Sequence, residues 1–215
     1  MPKITIARPA ERPRLRGVLH HYAFYGSLVS GTVLVACAPS RRTLVALVYG
    51  LSLSALLGVS ALYHRITWSV AARRRMGRLD HSMINVLIAG TYTPFGVVAL
   101  SGTFVAAVWL GALVNAVVHV VWLDAPKWLS AVAYVALGSV GVVAMPALVV
   151  TAGWAPAALL AAGGLVYFAG ALVYALRRPD PIPTVFGYHE VFHTLVVAAV
   201  SLQYAVVAFW VVHPL

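Results

Sequence analysis

Apolar residues fall into seven long runs separated by short polar segments. The runs cover residues 18–38, 43–63, 81–100, 104–123, 129–150, 156–176 and 191–212. Each run holds about 20 residues, which at the rise of an α-helix is enough to cross the roughly 30 Å hydrocarbon core of a bilayer. The pattern predicts an all-α, polytopic membrane protein with seven transmembrane helices.

Composition supports this class and excludes several others. The chain is 62% hydrophobic and 9% charged, which is too little polar surface to cover a water-soluble globule. The formal net charge is +10, but the basic residues stand in short clusters between apolar runs, so we expect no nucleic-acid partner. A single cysteine, Cys37, excludes an intramolecular disulfide framework and a cysteine-rich metal site.

The distribution of Lys and Arg predicts the orientation. With the N-terminus inside, 13 of the 15 basic residues lie in inner segments, and only Arg41 and Arg42 lie in outer ones. The positive-inside rule therefore predicts a cytoplasmic N-terminus and an outer C-terminus. We expect a basic cytoplasmic tail over residues 1–17, one seven-helix membrane domain over residues 18–215, and no extramembrane domain.

Several polar side chains share one depth in this topology. His189 and His193 stand four residues apart, so on a helix they lie on one face and can bind one divalent metal ion. His64 and Asp80 fall at the same inner depth on predicted helices 2 and 3, and Ser60 shares the face of His64. Polar groups at membrane depth usually face the bundle interior. The sequence therefore predicts His64, His189 and His193 as metal ligands, with Asp80 and Ser60 beside the ion.

Other interpretations of these residues remain open. Asp80 suits the N-cap of predicted helix 3, and Ser60 suits a hydrogen bond back into its own helix. His119 lies one turn after Asn115, which favours an interhelical hydrogen bond. We expect the other histidines to be interfacial: His20, His21, His81 and His213.

Five segments together resemble the hemolysin III family. They are LRGVLH at residues 15–20, SALYH at 60–64, LDHS at 79–82, IAGTYTPF at 88–95 and GYHEVFH at 187–193. This family is the bacterial branch of the progestin and adipoQ receptors, within a wider group that includes the alkaline ceramidases. The segments occur in the family's order and span nearly the whole chain.

The resemblance implies a seven-helix protein of the bacterial inner membrane with a zinc ion at the inner leaflet. His64, His189 and His193 match the family's three zinc ligands. Asp80 matches the acid that holds the water at the zinc, and Ser60 matches the residue close to that water. His81, which follows the acid, is typical of the bacterial branch.

A zinc ion held by three imidazoles keeps one position open, as in catalytic rather than structural sites. Bound zinc lowers the pKa of water to about 7 and polarises carbonyl groups. Asp80 would then orient the water and accept its proton, while Ser60 would donate a hydrogen bond to the developing oxyanion or to the water. We expect a zinc-dependent hydrolase that acts on amide or ester bonds of membrane lipids.

Two alternatives stay open. Residues 189–193 match H-E-x-x-H, in which the Glu is the general base of a metalloprotease. In an intramembrane protease the acid would follow this motif, whereas Asp80 precedes it, so we expect Glu190 to face the cytosolic rim. The second alternative is a non-catalytic, receptor-like or membrane-homeostasis protein with a structural zinc. The sequence does not predict an oligomeric state.

Overall fold

The computed structural model describes residues 12–122 and 127–212. A 3₁₀ turn at Ser40–Arg42 precedes the second helix, and a π-helical turn at Val207–Val212 continues the eighth. In the described ranges the α-helices are α1 (Val18–Cys37), α2 (Thr43–Arg65), α3 (Val70–Ala99), α4 (Gly102–Val121), α5 (Lys127–Ser139), α6 (Gly141–Ala152), α7 (Trp154–Leu176) and α8 (Tyr188–Val206). The predicted all-α class is confirmed.

The outside of the helix bundle is strongly apolar. Leu44, Leu110 and Leu165 are each more than 60% exposed, and water-soluble proteins rarely expose apolar patches this extensive. Within the described residues, four segments are long and apolar enough to cross a membrane: Ser40–Arg65, Val132–Ala152, Trp154–Leu176 and Tyr188–Val212. The chain is therefore a helical membrane protein.

Helix α3 begins eleven residues before the predicted third helix. It starts at Val70, and the hydroxyl of Ser69 caps it by accepting a hydrogen bond from the Ala72 N–H at 3.3 Å. The predicted start lies too far along the chain because residues 73–75 are three arginines, and a hydropathy pattern excludes charged residues from a membrane span. Helix formation itself requires no burial, so α3 extends past the apolar run.

The predicted fifth helix, residues 129–150, is two helices in the structure. Helix α5 ends at Ser139 and α6 begins at Gly141. The hydroxyl of Tyr92 bridges the break, because it accepts the Gly141 N–H at 2.7 Å and donates to the carbonyl of Gly138. A side chain from α3 thus replaces the missing helical hydrogen bonds, a known cause of sharp helix breaks.

The helices pack mainly against their neighbours in sequence. Helix α1 packs on α2, α2 on α3, α3 on α4, and α7 on α8. Helices α1 and α8 also touch, which closes the bundle. Gly31 and Gly50 let α1 and α2 approach closely, since a Cβ at Gly50 would lie 3.4 Å from the Gly31 Cα. The core draws on several of these helices and includes Tyr49, Leu57, Phe95, Leu148 and Val200.

The segment before α1 is bonded to the loop between α7 and α8. The N–H groups of Arg14 and Leu15 donate to the carbonyls of Thr184 and Val185, each at 3.0 Å. These bonds bring the start of α1 against the start of α8, where the predicted ligands lie. Residues 1–11 of the predicted tail, and His213, lie outside the described residues.

Candidate metal centre

Three imidazoles meet where the end of α2 faces the start of α8. The Nε2 atoms of His64 and His189 are 3.2 Å apart, and the three ring centroids lie 4.5 to 5.0 Å from one another. One nitrogen from each of His64, His189 and His193 falls within 4.8 Å of the others. Ligands of tetrahedral zinc, at about 2.0–2.1 Å from the ion, stand slightly more than 3 Å apart. The His64–His189 separation matches this spacing, and all three nitrogens lie close enough together to be candidate ligands of one metal ion.

The surroundings also suit a metal ion. His64 and His193 are buried, with 8% and 2% of their surface exposed, and His189 is half-buried. The Nε2 atoms of His64 and His189 face each other, and a cation between them would allow both neutral rings to donate a lone pair. Three neutral nitrogen donors are typical ligands of zinc and other borderline-soft transition metals. The residues present therefore fit the ion that the sequence predicted.

Asp80 lies beside this cluster, in the third turn of α3. Its Oδ2 atom is 4.0 Å from His64 Nε2 and 3.8 Å from His81 Nδ1. Buried Ser60 lies close to the Asp80 carboxylate. The N-cap alternative for Asp80 is wrong, because Ser69 caps α3 eleven residues earlier.

Glu190 does not face the cytosolic rim, and that expectation was wrong. Its side chain is 1% exposed. Its Oε1 atom lies 2.8 Å from Nε of Arg16, and its Oε2 atom accepts the N–H of Gly187 at 2.9 Å. One oxygen therefore pairs with the segment before α1, and the other caps the start of α8. A general base needs an oxygen directed at the metal, which this arrangement does not offer.

His20 belongs to the centre, although we expected it to be interfacial. It is 3% exposed, and its ring stacks on the ring of His193 with centroids 3.8 Å apart and planes 4° apart. His21, by contrast, is half-buried and makes edge contacts with Tyr22 and Tyr25. His81 is half-buried, with Nδ1 2.7 Å from the carbonyl oxygen of Gly77.

Gly17 packs directly on a predicted ligand. Its φ is +75°, a left-handed conformation that favours glycine, and a Cβ at this position would lie 2.6 Å from Cβ of His64. Arg16, Gly17 and His20 thus all contact α8 or His64. The LRGVLH segment contains all three, so its match to the family's start was the sequence signal that marked them. Helical periodicity did not reveal their contacts, because those contacts join distant parts of the chain.

A cavity of about 840 Å³ opens beside the three histidines. Its inner part is lined by mostly apolar residues of α3, α5, α6, α7 and α8, including Leu87, Met145, Leu160, Phe168 and Val196. It extends to Gln203, which lies ten residues beyond His193 and therefore about 15 Å along the helix axis. A cavity of this size lies within the range of small-molecule sites. Its apolar depth suits a hydrocarbon chain.

The chain is similar to known proteins over most of its length. The model of the family described as Haemolysin-III related matches residues 9–204. The Hemolysin-3 homolog of Bacillus subtilis (strain 168) is 31% identical over 169 residues, which cover 77% of this chain and 76% of that protein. Hemolysin-3 of Bacillus cereus is 30% identical over 168 residues, which cover 76% and 74%. The matched range includes all three clustered histidines, Asp80 and Ser60, and the chain belongs to the haemolysin-III related family.

Proposed function

We propose that this protein is a zinc-dependent hydrolase that cleaves amide or ester bonds of membrane lipids at the inner leaflet. The observation that carries the proposal is the junction between the three-histidine cluster and the apolar cavity. His64, His189 and His193 line the same cavity as Leu160 and Phe168. An acyl chain in the apolar part would therefore bring its carbonyl group to the metal ligands.

Each residue at the centre has a defined role in this proposal. The three histidines would hold a zinc ion, which would supply Lewis acidity to the substrate carbonyl. Asp80 accepts a proton from the attacking water, since its carboxylate lies 4.0 Å from a ligand nitrogen and lines the cavity. Ser60 lies close to that carboxylate, and in this proposal its hydroxyl donates a hydrogen bond that orients it. The burial of Ser60 and His64 keeps bulk water from screening these charges.

The non-catalytic alternative fits these features less well. A purely structural zinc site is normally closed by four protein ligands. In the described ranges the cluster has three ligating side chains, and it opens on a cavity large enough for a lipid chain. The metalloprotease alternative loses support because Glu190 is bound to Arg16 and to the Gly187 N–H.

We further propose seven membrane spans, a cytoplasmic N-terminus, and residence in the bacterial inner membrane. Helices α5 and α6 together supply one apolar span, Val132–Ala152, which reconciles the eight described helices with seven crossings. The clustered arginines before α1 and at the start of α3 support this orientation by the positive-inside rule. Alkaline phosphatase and fluorescent-protein fusions at each loop would test it.

The function is tested on purified protein in an uncharged detergent. Metal content is measured for the wild type, His64→Ala and Asp80→Asn, and fatty acid release is measured with a panel of amide and ester lipids. We expect His64→Ala to lose both zinc and hydrolysis, and Asp80→Asn to keep zinc but lose hydrolysis by at least about 100-fold. Zinc-loaded wild-type protein that releases no fatty acid from any of these lipids would refute the proposal.

A further inference from the structure

Three arginines line the cytosolic mouth of the cavity: Arg12, Arg16 and Arg73. Among the described residues, Asp80 is the one carboxylate in the cavity lining, and it stands beside the three histidines. Glu190 pairs with Arg16 from outside the lining. Among the described residues, the arginines around the mouth therefore outnumber the carboxylates, which leaves the mouth with a net positive charge.

Arg73 is held close to the metal ligands. Its guanidinium lies 5.1 Å from the centroid of the Tyr63 ring, and that ring lies 4.7 Å from the ring of His64. The guanidinium is therefore no more than about 10 Å from the His64 ring. Stacking on an aromatic face fixes the direction of a guanidinium.

One nitrogen of this guanidinium has no acceptor among the described residues. Nη1 of Arg73 is buried and has no hydrogen-bond partner in residues 12–122 and 127–212. A buried donor without a partner is costly, and guanidinium groups bind phosphate oxygens with well-matched geometry. Arg73 is thus prepared to bind an anion at the mouth of the cavity.

Membrane topology does not explain this placement. Arg65, Arg74 and Arg75 are exposed, lie outside the cavity lining, and satisfy the positive-inside rule equally well. Arg73, by contrast, is half-buried and lines the cavity. The neighbouring Arg74 is therefore a matched control, since it has the same charge and lies on the same helix.

We propose that the site binds lipids whose head group carries a phosphate, with Arg73, Arg12 and Arg16 at the phosphate and the acyl chain in the apolar cavity. The position of the scissile bond at the histidines rests on the proposed function. In a 1-acylglycerol 3-phosphate, three glycerol carbons separate the phosphate ester oxygen from the acyl ester oxygen, which suits the short distance between Arg73 and His64. The proposal narrows the substrates from lipids in general to anionic lipids.

The test is equilibrium binding of two radiolabelled lipids to the purified full chain in an uncharged detergent. The lipids are 1-oleoylglycerol 3-phosphate and 1-oleoylglycerol, which share the acyl chain and the ester. We expect the phosphate-bearing lipid to bind at least about tenfold more tightly, and this preference to weaken at high salt. Arg73→Gln should remove most of the preference, Arg73→Lys should keep part of it, and Arg74→Gln should leave it intact.

Three results would overturn the proposal. They are equal binding of both lipids by the wild type, equal loss of preference in Arg73→Gln and Arg74→Gln, and displacement of the lipid by glycerol 3-phosphate at comparable concentration. The last result would identify a site for a soluble phosphate ester.

Binding does not depend on turnover, so the two proposals can fail separately. A phosphate preference in wild type without fatty acid release would refute the hydrolase and retain the lipid site. Hydrolysis of both lipids without a difference in binding would do the reverse. His64→Ala should retain the phosphate preference, because Arg73 does not depend on the metal.

Discussion

The ring of His20 lies flat on the ring of His193, with centroids 3.8 Å apart and planes inclined by 4°. His20 belongs to α1 and His193 to α8, so this contact joins the first helix to a predicted metal ligand. Groups that orient a ligand ring typically contribute 10- to 100-fold to metal affinity. We infer that His20 is a positioning residue, which holds the His193 ring toward the ion by stacking.

His20→Ala should lower zinc affinity by about 10-fold, because an unsupported His193 ring loses its orientation. His20→Phe should restore most of the affinity, because a phenyl ring can stack without a nitrogen. His21→Ala is the control, since the ring contacts described for His21 are with Tyr22 and Tyr25 and not with the three clustered histidines. Competition with a fluorescent chelator measures each value. A Phe variant as weak as the Ala variant would show that stacking is not the role of His20.

Gly17 and Gly153 form a natural pair for testing the contact with His64. Both have positive φ, at +75° and +89°, but a Cβ at Gly153 meets nothing within 4 Å. Alanine at either position should cost about 1–3 kcal/mol of stability through backbone strain. Only Gly17→Ala should also lower the zinc content, because its methyl group displaces His64. Thermal unfolding and metal analysis separate the two effects, and equal zinc content in both variants would contradict the contact.

The ion pair between Arg16 and Glu190 predicts a stability effect without loss of metal. Glu190→Gln should lower the free energy of unfolding by about 1–3 kcal/mol, because Arg16 loses a charged partner in a buried setting. The zinc content should not change, and Arg16→Gln combined with Glu190→Gln should cost less than the sum of the single changes. Denaturant titration in detergent measures the coupling. Complete loss of hydrolysis at unchanged stability would instead favour Glu190 as a general base.

Gly164 offers a test of the cavity as an acyl-chain site. It lines the cavity, and a Cβ there meets no atom within 4 Å. Its neighbour Gly163 lies against Gln203 at the deep end, since a Cβ there would be 3.2 Å from Gln203 Cγ. Gly164→Phe should therefore fill the deep part and shift the preferred acyl chain to shorter lengths.

Ala158→Phe is the control for this change, because Ala158 is exposed on the same helix and does not line the cavity. The measurement is the binding of fatty acids with about 8 to 18 carbons, a range of lengths that suits a cavity of this size. An unchanged length profile in Gly164→Phe would place the chain elsewhere.

Much of this architecture could be predicted because apolar runs of span length leave few alternatives. Four predicted helices match α1, α2, α4 and α7 to within a few residues. The shared depth of His64, Asp80 and His189 followed from the predicted topology, because the position of a residue within a span fixes its depth along the membrane normal. The i, i+4 spacing of His189 and His193 then required only that α8 be helical.

The rest depended on contacts between distant residues, which hydropathy does not encode. The break before Gly141 requires the hydroxyl of Tyr92, 49 residues earlier. The burial of Glu190 requires Arg16 from the other end of the described chain. In each case the deciding interaction is a single polar contact between helices, and a hydrophobic pattern contains no information about such pairs.

The bonds from Arg14 and Leu15 to Thr184 and Val185 have a consequence for biosynthesis. Because His64 emerges from the ribosome more than 120 residues before His189, the nascent chain carries His64 without the two other proposed ligands through most of translation. The three ligands of the proposed zinc ion would come together only after α8 has inserted and the segment before α1 has bonded to the loop before α8. Loading of the proposed zinc ion would therefore follow the insertion of α8, and a chain that stalls before Tyr188 would have most of the cavity wall but neither His189 nor His193.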